Sequence, residues 1–199
     1  MPPLRLVLDE VNGNAVTHPD DAAKDPTIIM ARQQVTMKGH IEDAAGNRVD
    51  DFTGSANCVL YDADRSITTL GNGDEGKPFD FDTHGGRLYM GTGSVENGTF
   101  TLNIPMPAEV ADNFRPATLN VYARSDDGRE GAGVDRRIYV YGSDPEAEAD
   151  NQAPEIESIY LNHPSFRDGK TVNPSPMLIA RVSDDRAINL STAGAGHQM

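Results

Sequence analysis

Between Gln34 and Leu70, apolar and polar residues alternate along extended runs that are broken by clusters of turn-forming residues. Val35, Met37, Gly39 and Ile41 fall on one face at period two, and Gln34, Thr36, Lys38, His40 and Glu42 fall on the other. That is the pattern of a strand with one wet side, and no helical period fits as well. The stretch reads as strand, loop, strand, turn, strand. Turn chemistry sits at Asp43 to Asn47, and a bulge is predicted at Asp50 and Asp51, where the alternation between Val49 and Phe52 breaks.

The same period continues on both sides. Leu4, Leu6 and Leu8 share a face ahead of a polar loop over residues 12 to 27. Beyond Leu70, alternation returns at Phe79 and Phe81 and at Arg87 to Met90. Asn97-Gly98 between two alternating runs predicts a type I′ hairpin, with Phe100, Leu102 and Ile104 on the face of Val95. The AEVADNF segment after Pro107 predicts a short helical turn. Leu119, Val121 and Ala123 then form a strand, DDGREGAG a loop, and Arg137 to Tyr141 the last strand of this unit. Short strands at regular spacing predict an all-β fold, an antiparallel immunoglobulin-like β-sandwich over residues 1–141, with a barrel as the alternative. Residues 142–153 are rich in carboxylates and hold no large apolar side chain, which predicts an interdomain linker. Residues 154–199 read as a partial second β-module of two or three strands, too few to bury a core of their own.

Composition narrows the partners. Apolar residues make up 37%, or about 47% with the 19 glycines, enough for a packed core. Seventeen basic against 31 acidic side chains give a formal charge of −14, so nucleic acid and anionic lipid are repelled. No apolar run approaches the roughly 20 residues that span a bilayer. The opening MPPLRLVLDE lacks a signal peptide's apolar core and cleavage site.

Candidate chemistry is sparse. Cys58 is the sole cysteine, so no intrachain disulfide forms, and a thiol in mid-strand reads as a small buried hydrophobe. Paired with His40 or His84 it would make a peptidase dyad, but a catalytic thiol needs an accessible, electropositive setting that an acidic strand does not offer. Gly71 to Lys77 matches both a GxGxxG pattern and the first part of a P-loop, yet Pro78 stands where a serine or threonine must hold magnesium. Asp80, Asp82 and His84 imitate a calcium loop that fails at Gly91, where a glutamate is required. Asp144, Glu146, Glu148, Asp150 and Asn151 read as a solvated spacer, with a joint-stiffening calcium as the alternative. Asn97-Gly-Thr99 and Asn189-Leu-Ser191 are formal glycosylation sequons, the first better explained by its turn. No catalytic, cofactor or metal residue is predicted, and a stand-alone adhesion or carbohydrate-binding module would have to rely on Tyr89, Tyr139 and Tyr141.

A resemblance sharpens this picture. VTMKGHIEDAAGN, DFTGSA and LYDADRSITTLGN resemble the region that follows the peptidase domain in the gingipain-like cysteine peptidases acting as sortases in type IX secretion. PPLRLVL is similar to the end of that peptidase module, and DNQAPEI, FRDG, PMLIARVSD and INLSTAGAGH resemble its second immunoglobulin-like module. The resemblance implies a non-catalytic scaffold whose Cys and His pair lies upstream of Met1. It implies as partners the upstream peptidase domain and an outer-membrane barrel, at the cell surface, with no cofactor of its own.

Overall fold

The computed structural model describes residues 4–17, 26–73, 76–83, 85–111, 113–148, 152–185 and 188. The chain separates into two compact units, one holding the described residues up to Ala147 and the other running from Glu148 to Ile188.

In the first unit, seven strands close on themselves in the order β1 (Leu4–Val11), β4 (Gln34–Glu42), β9 (Thr99–Pro105), β8 (Arg87–Glu96), β5 (Gly54–Tyr61), β10 (Thr118–Ser125) and β11 (Glu130–Asp135). All neighbours are antiparallel except the closing pair, where β1 runs parallel to β11 through Leu4↔Gly131 and Arg5↔Ala132. The interior is filled by the alternating residues read from the sequence. Val35, Met37, Ile41, Phe100, Leu102, Ile104, Leu119, Val121 and Ala123 belong to one buried cluster with Leu6, Leu8 and Val11. Strand β1 keeps both Leu8 and Val11 inward because its register with β4 shifts between Leu8 and Glu10. Opposite Gly39, the ring of Phe100 occupies the place of the missing side chain, lying 2.3 Å from where a Cβ would stand.

Smaller elements decorate the barrel. Strand β2 (Asn14–Ala15) extends β1, while β3 (Thr27–Ala31) and β12 (Ile138–Ser143) form a separate parallel pair. Ile29, Ile138 and Val140 of that pair are fully buried in the barrel's cluster. Strands β6 (Arg65–Thr68) and β7 (Asp80–Thr83) form a two-stranded arm.

The immunoglobulin-like sandwich is therefore corrected to a mixed barrel. A sandwich keeps two sheets with free edges, whereas β1 bridges those edges here. Small residues make the closure possible, because a Cβ on Gly133 would stand 2.1 Å from the carbonyl oxygen of Leu6. DDGREGAG is accordingly not one loop, since β11 begins at Glu130. Asp50 and Asp51 form a turn rather than a bulge, and the segment after Pro107 is irregular rather than helical among its described residues. The hairpin prediction holds, with Asn97 at φ 49° and Gly98 at φ 70° between Glu96 and Thr99. Strand β12 reaches Ser143, and the amide of Asp144 donates to Ala31 O at 3.0 Å, so the first unit continues past residue 141.

The second unit is an antiparallel pair, β13 (Glu155–Leu161) with β14 (Leu178–Ser183). Ile156, Ile159, Met177 and Leu178 are exposed, and two strands by themselves build no core.

Candidate functional site

Cys58 lies in the middle of β5, paired with Gly91 of β8 and Val121 of β10, and is 1% exposed. Burial pushes its thiol up to about 11, against a weaker opposing hydrogen bond from the Gly91 backbone. Its inward neighbour is Tyr89, whose phenol reaches over Gly91 and is itself pushed up by burial and by Cys58. A thiolate does not form there near neutral pH, so Cys58 is a packing group.

His40 does not approach it. On β4, Gly39 and Ile41 point inward, so His40 between them faces outward. Its Nδ1 lies 2.8 Å from Asp9 Oδ2 and its Nε2 lies 3.6 Å from Glu42 Oε2. Glu42 in turn accepts from Arg5 Nε at 2.8 Å. The four side chains form a chain of polar contacts that links β1 to β4. His163 in the second unit has Nδ1 3.1 Å from the Ser165 amide, which donates to it, so this ring caps a turn. His84 lies outside the described residues.

The acidic candidates are engaged locally. Asp80 and Asp82 accept from the hydroxyls of Thr68 and Ser66 across the arm, each at 2.6 Å. Asp144 Oδ1 accepts the Glu146 amide at 3.0 Å, while Asp150 and Asn151 lie outside the described residues. Among the described residues, no three His, Cys, Asp or Glu side chains are gathered as metal ligands. Of the three tyrosines, Tyr89 is committed to the interior. Tyr139 and Tyr141 pack with Phe114, at ring-centroid distances of 4.9 and 5.4 Å.

Sequence reasoning missed one fully buried ionisable group. Asp62 follows β5 and is fully buried. Its Oδ1 accepts the Ala63 amide at 2.8 Å and its Oδ2 the Ala111 amide at 2.7 Å. Burial raises its pKa, offset in part by those two hydrogen bonds and by Arg65. The carboxylate pins the crossover between β9 and β10 to the root of the arm. Arg129 was missed as well. It donates to Asp51 Oδ1 and Asp127 Oδ2 at 2.8 Å each and lies over the ring of Phe52, 5.5 Å from its centroid. These hydrogen bonds hold the Asp127 carboxyl well below its usual range.

On the outer face of β8, β5, β10 and β11 lies a shallow groove of about 570 Å³, bordered by Val59, Met90, Thr92, Tyr122 and Val134. It is lined by no carboxylate, histidine, lysine or arginine. Such a surface can bind, and the Tyr122 phenol on it is pushed up chiefly by its hydrogen bond with Glu130.

An all-β barrel without an assembled nucleophile and base at Cys58 is the class defined by this geometry. Over 99% of its length the chain is similar to part of dimeric latent PorU from Porphyromonas gingivalis, with a TM-score of 0.66 and 26% sequence identity. The chain spans 18% of the length of that protein. Spo0M, a sporulation control protein from Bacillus subtilis, aligns over 80% of this chain and 58% of its own at a TM-score of 0.36 and 11% identity, a level that carries no inference. No protein-family model matches the sequence, and no curated protein matches it.

Proposed function

We propose that this chain is a non-catalytic β-barrel region of a PorU-type sortase, standing after the peptidase domain. The observation that carries this reading is the near-complete overlap with one segment of PorU at 26% identity. Supporting it, the lone thiol is sealed in the barrel with its ionisation suppressed. The parent protein, on this reading, is a gingipain-like cysteine endopeptidase of the cell surface that removes C-terminal sorting signals from type IX cargo. The role of this chain is scaffolding, in which β1 couples the peptidase domain to the barrel and the outer surfaces meet further modules or an outer-membrane partner. The acidic segment that follows Asp144 serves as the joint to the second module.

Sequencing the genomic DNA around the coding segment tests the reading. A gingipain-like domain with its Cys and His on the amino-terminal side is expected. A different domain there overturns it. Incubating the purified chain with a thiol-directed peptidase probe separately tests its inertness, and labelling of Cys58 is not expected.

A second reading, an adhesion or carbohydrate-binding module, is favoured by one observation, the partly exposed Phe114, Tyr139 and Tyr141 cluster. Glycan-array binding that is lost in Tyr141→Ala would select it.

A further inference from the structure

The β6–β7 arm has two unlike faces. Directly opposed residues share a face of an antiparallel pair, so Ile67 lies beside Phe81. Two pairs further on, Thr69 donates its amide to Phe79 O at 2.9 Å, which continues the same face. Ile67, Phe79 and Phe81 thus form one apolar surface, while Ser66, Thr68, Asp80 and Asp82 form the other. None of the three apolar residues joins the barrel core, and they are 42%, 68% and 41% exposed respectively. At the root of β6, Arg115 Nη1 donates to Ser66 Oγ and to Asp64 O, both at 3.3 Å. The outer edge of β7 carries no strand among the described residues.

A two-stranded hairpin is marginal in water and gains from a third strand. An open strand edge is a template for β-addition, in which backbone hydrogen bonds give affinity and alternate side chains give selectivity. The two faces of the arm dictate that selectivity. An added strand must place apolar residues beside Phe79 and Phe81, and its alternate residues beside Asp80 and Asp82, where a cation is attracted and an anion repelled.

We infer that the free edge of β7 accepts an extended partner segment in which apolar residues alternate with lysine or arginine. A second copy of this chain is disfavoured, because pairing β7 with itself brings the carboxylates of Asp80 and Asp82 together. A bilayer is disfavoured too, since the sequence between β6 and β7 includes Asp74 and Glu75, charges that a hydrocarbon interior rejects. The inference does not depend on the parent protein being a sortase.

The test uses the whole chain and a fluorescent synthetic peptide alternating leucine with lysine, with a leucine–glutamate peptide as the control. The lysine peptide is expected to bind and the glutamate peptide not to bind. Phe79→Ser with Phe81→Ser is expected to weaken binding about ten-fold, and Asp80→Asn with Asp82→Asn to weaken it and flatten its dependence on salt. Unchanged circular dichroism and melting temperature show that these exposed substitutions leave the barrel folded. Asp50→Asn removes an exposed charge elsewhere and is expected to change nothing. Equal losses in Asp50→Asn and the arm variants would show attraction by net charge alone and overturn the proposal. Dimerisation of the free chain abolished by Phe81→Ser, or flotation with phosphatidylcholine vesicles that requires Phe79 and Phe81, likewise overturns it.

Discussion

Gly133 of β11 faces the backbone of Leu6 in β1 so closely that a Cβ would stand 2.1 Å from the Leu6 carbonyl oxygen. Backbone on that scale cannot give way as a flexible side chain can, so the seam of the barrel requires glycine. Gly133→Ala is expected to cost about 2–4 kcal/mol by forcing β1 and β11 apart. Urea denaturation followed by circular dichroism checks it. Gly73→Ala, where a Cβ meets nothing within 4 Å, provides the control and is expected to be neutral or slightly stabilising.

The hairpin turn makes a similar demand for two reasons at once. Gly98 has φ 70°, and a Cβ there would stand 2.2 Å from Val49 O. Its own carbonyl accepts the Ile41 amide and its amide donates to Phe52 O, each at 2.8 Å. Gly98→Ala is expected to lose about 2–4 kcal/mol, well beyond the roughly 1 kcal/mol of a left-handed backbone alone. Asn97→Ala is expected to cost only about that smaller amount.

Cys58 offers a direct probe of barrel opening. With its thiol buried and pushed up to about 11, it is expected to resist iodoacetamide at pH 8 in buffer and to react fully in urea. The labelling rate at intermediate urea then tracks the unfolded fraction. Rapid labelling of the folded chain would show the thiol to be reachable and would falsify the packing assignment.

Asp62 sets a pH dependence whose sign follows from burial. Its folded pKa is raised above the unfolded value of 3.8, so folding favours the protonated form. The stability it contributes is fully present below about pH 4 and is lost as pH rises through the raised folded pKa. Asp62→Asn is expected to remove this fall between acidic and neutral pH, as read from urea midpoints across that range. Asp62→Ala strands the Ala63 and Ala111 amides and is expected to cost about 1–3 kcal/mol at any pH.

The strands that pack a one-sided core were legible because Val35 to Ile41, Phe100 to Ile104 and Leu119 to Ala123 carry the period that burial imposes. The hairpin was legible because Asn97-Gly98 is the chemistry that two positive φ angles require. Closure was not. It depends on a parallel contact between the first strand and β11, a segment whose inward positions include Gly131 and Gly133 and so show no apolar alternation. The helical turn expected after Pro107 gave way to a crossover held from outside, by Asp62 on Ala111 and by Asp64 O accepting from Asn113 and Arg115. A backbone amide of alanine leaves no trace in a residue pattern, so the partner of Asp62 could not be read. The burial of Cys58 could, because Ala56, Cys58 and Leu60 alternate with Asn57 and Val59.

The parallel seam gives the barrel a mechanical polarity. Tension entering at Leu4 runs along β1, which is gripped by β4 through pairs from Arg5 to Val11 and by β11 at its first two residues. All of these bonds lie across the direction of pull and must slide together, whereas at an unzipping edge they would break singly and in turn. A load applied at that end therefore meets the stiff axis of the structure.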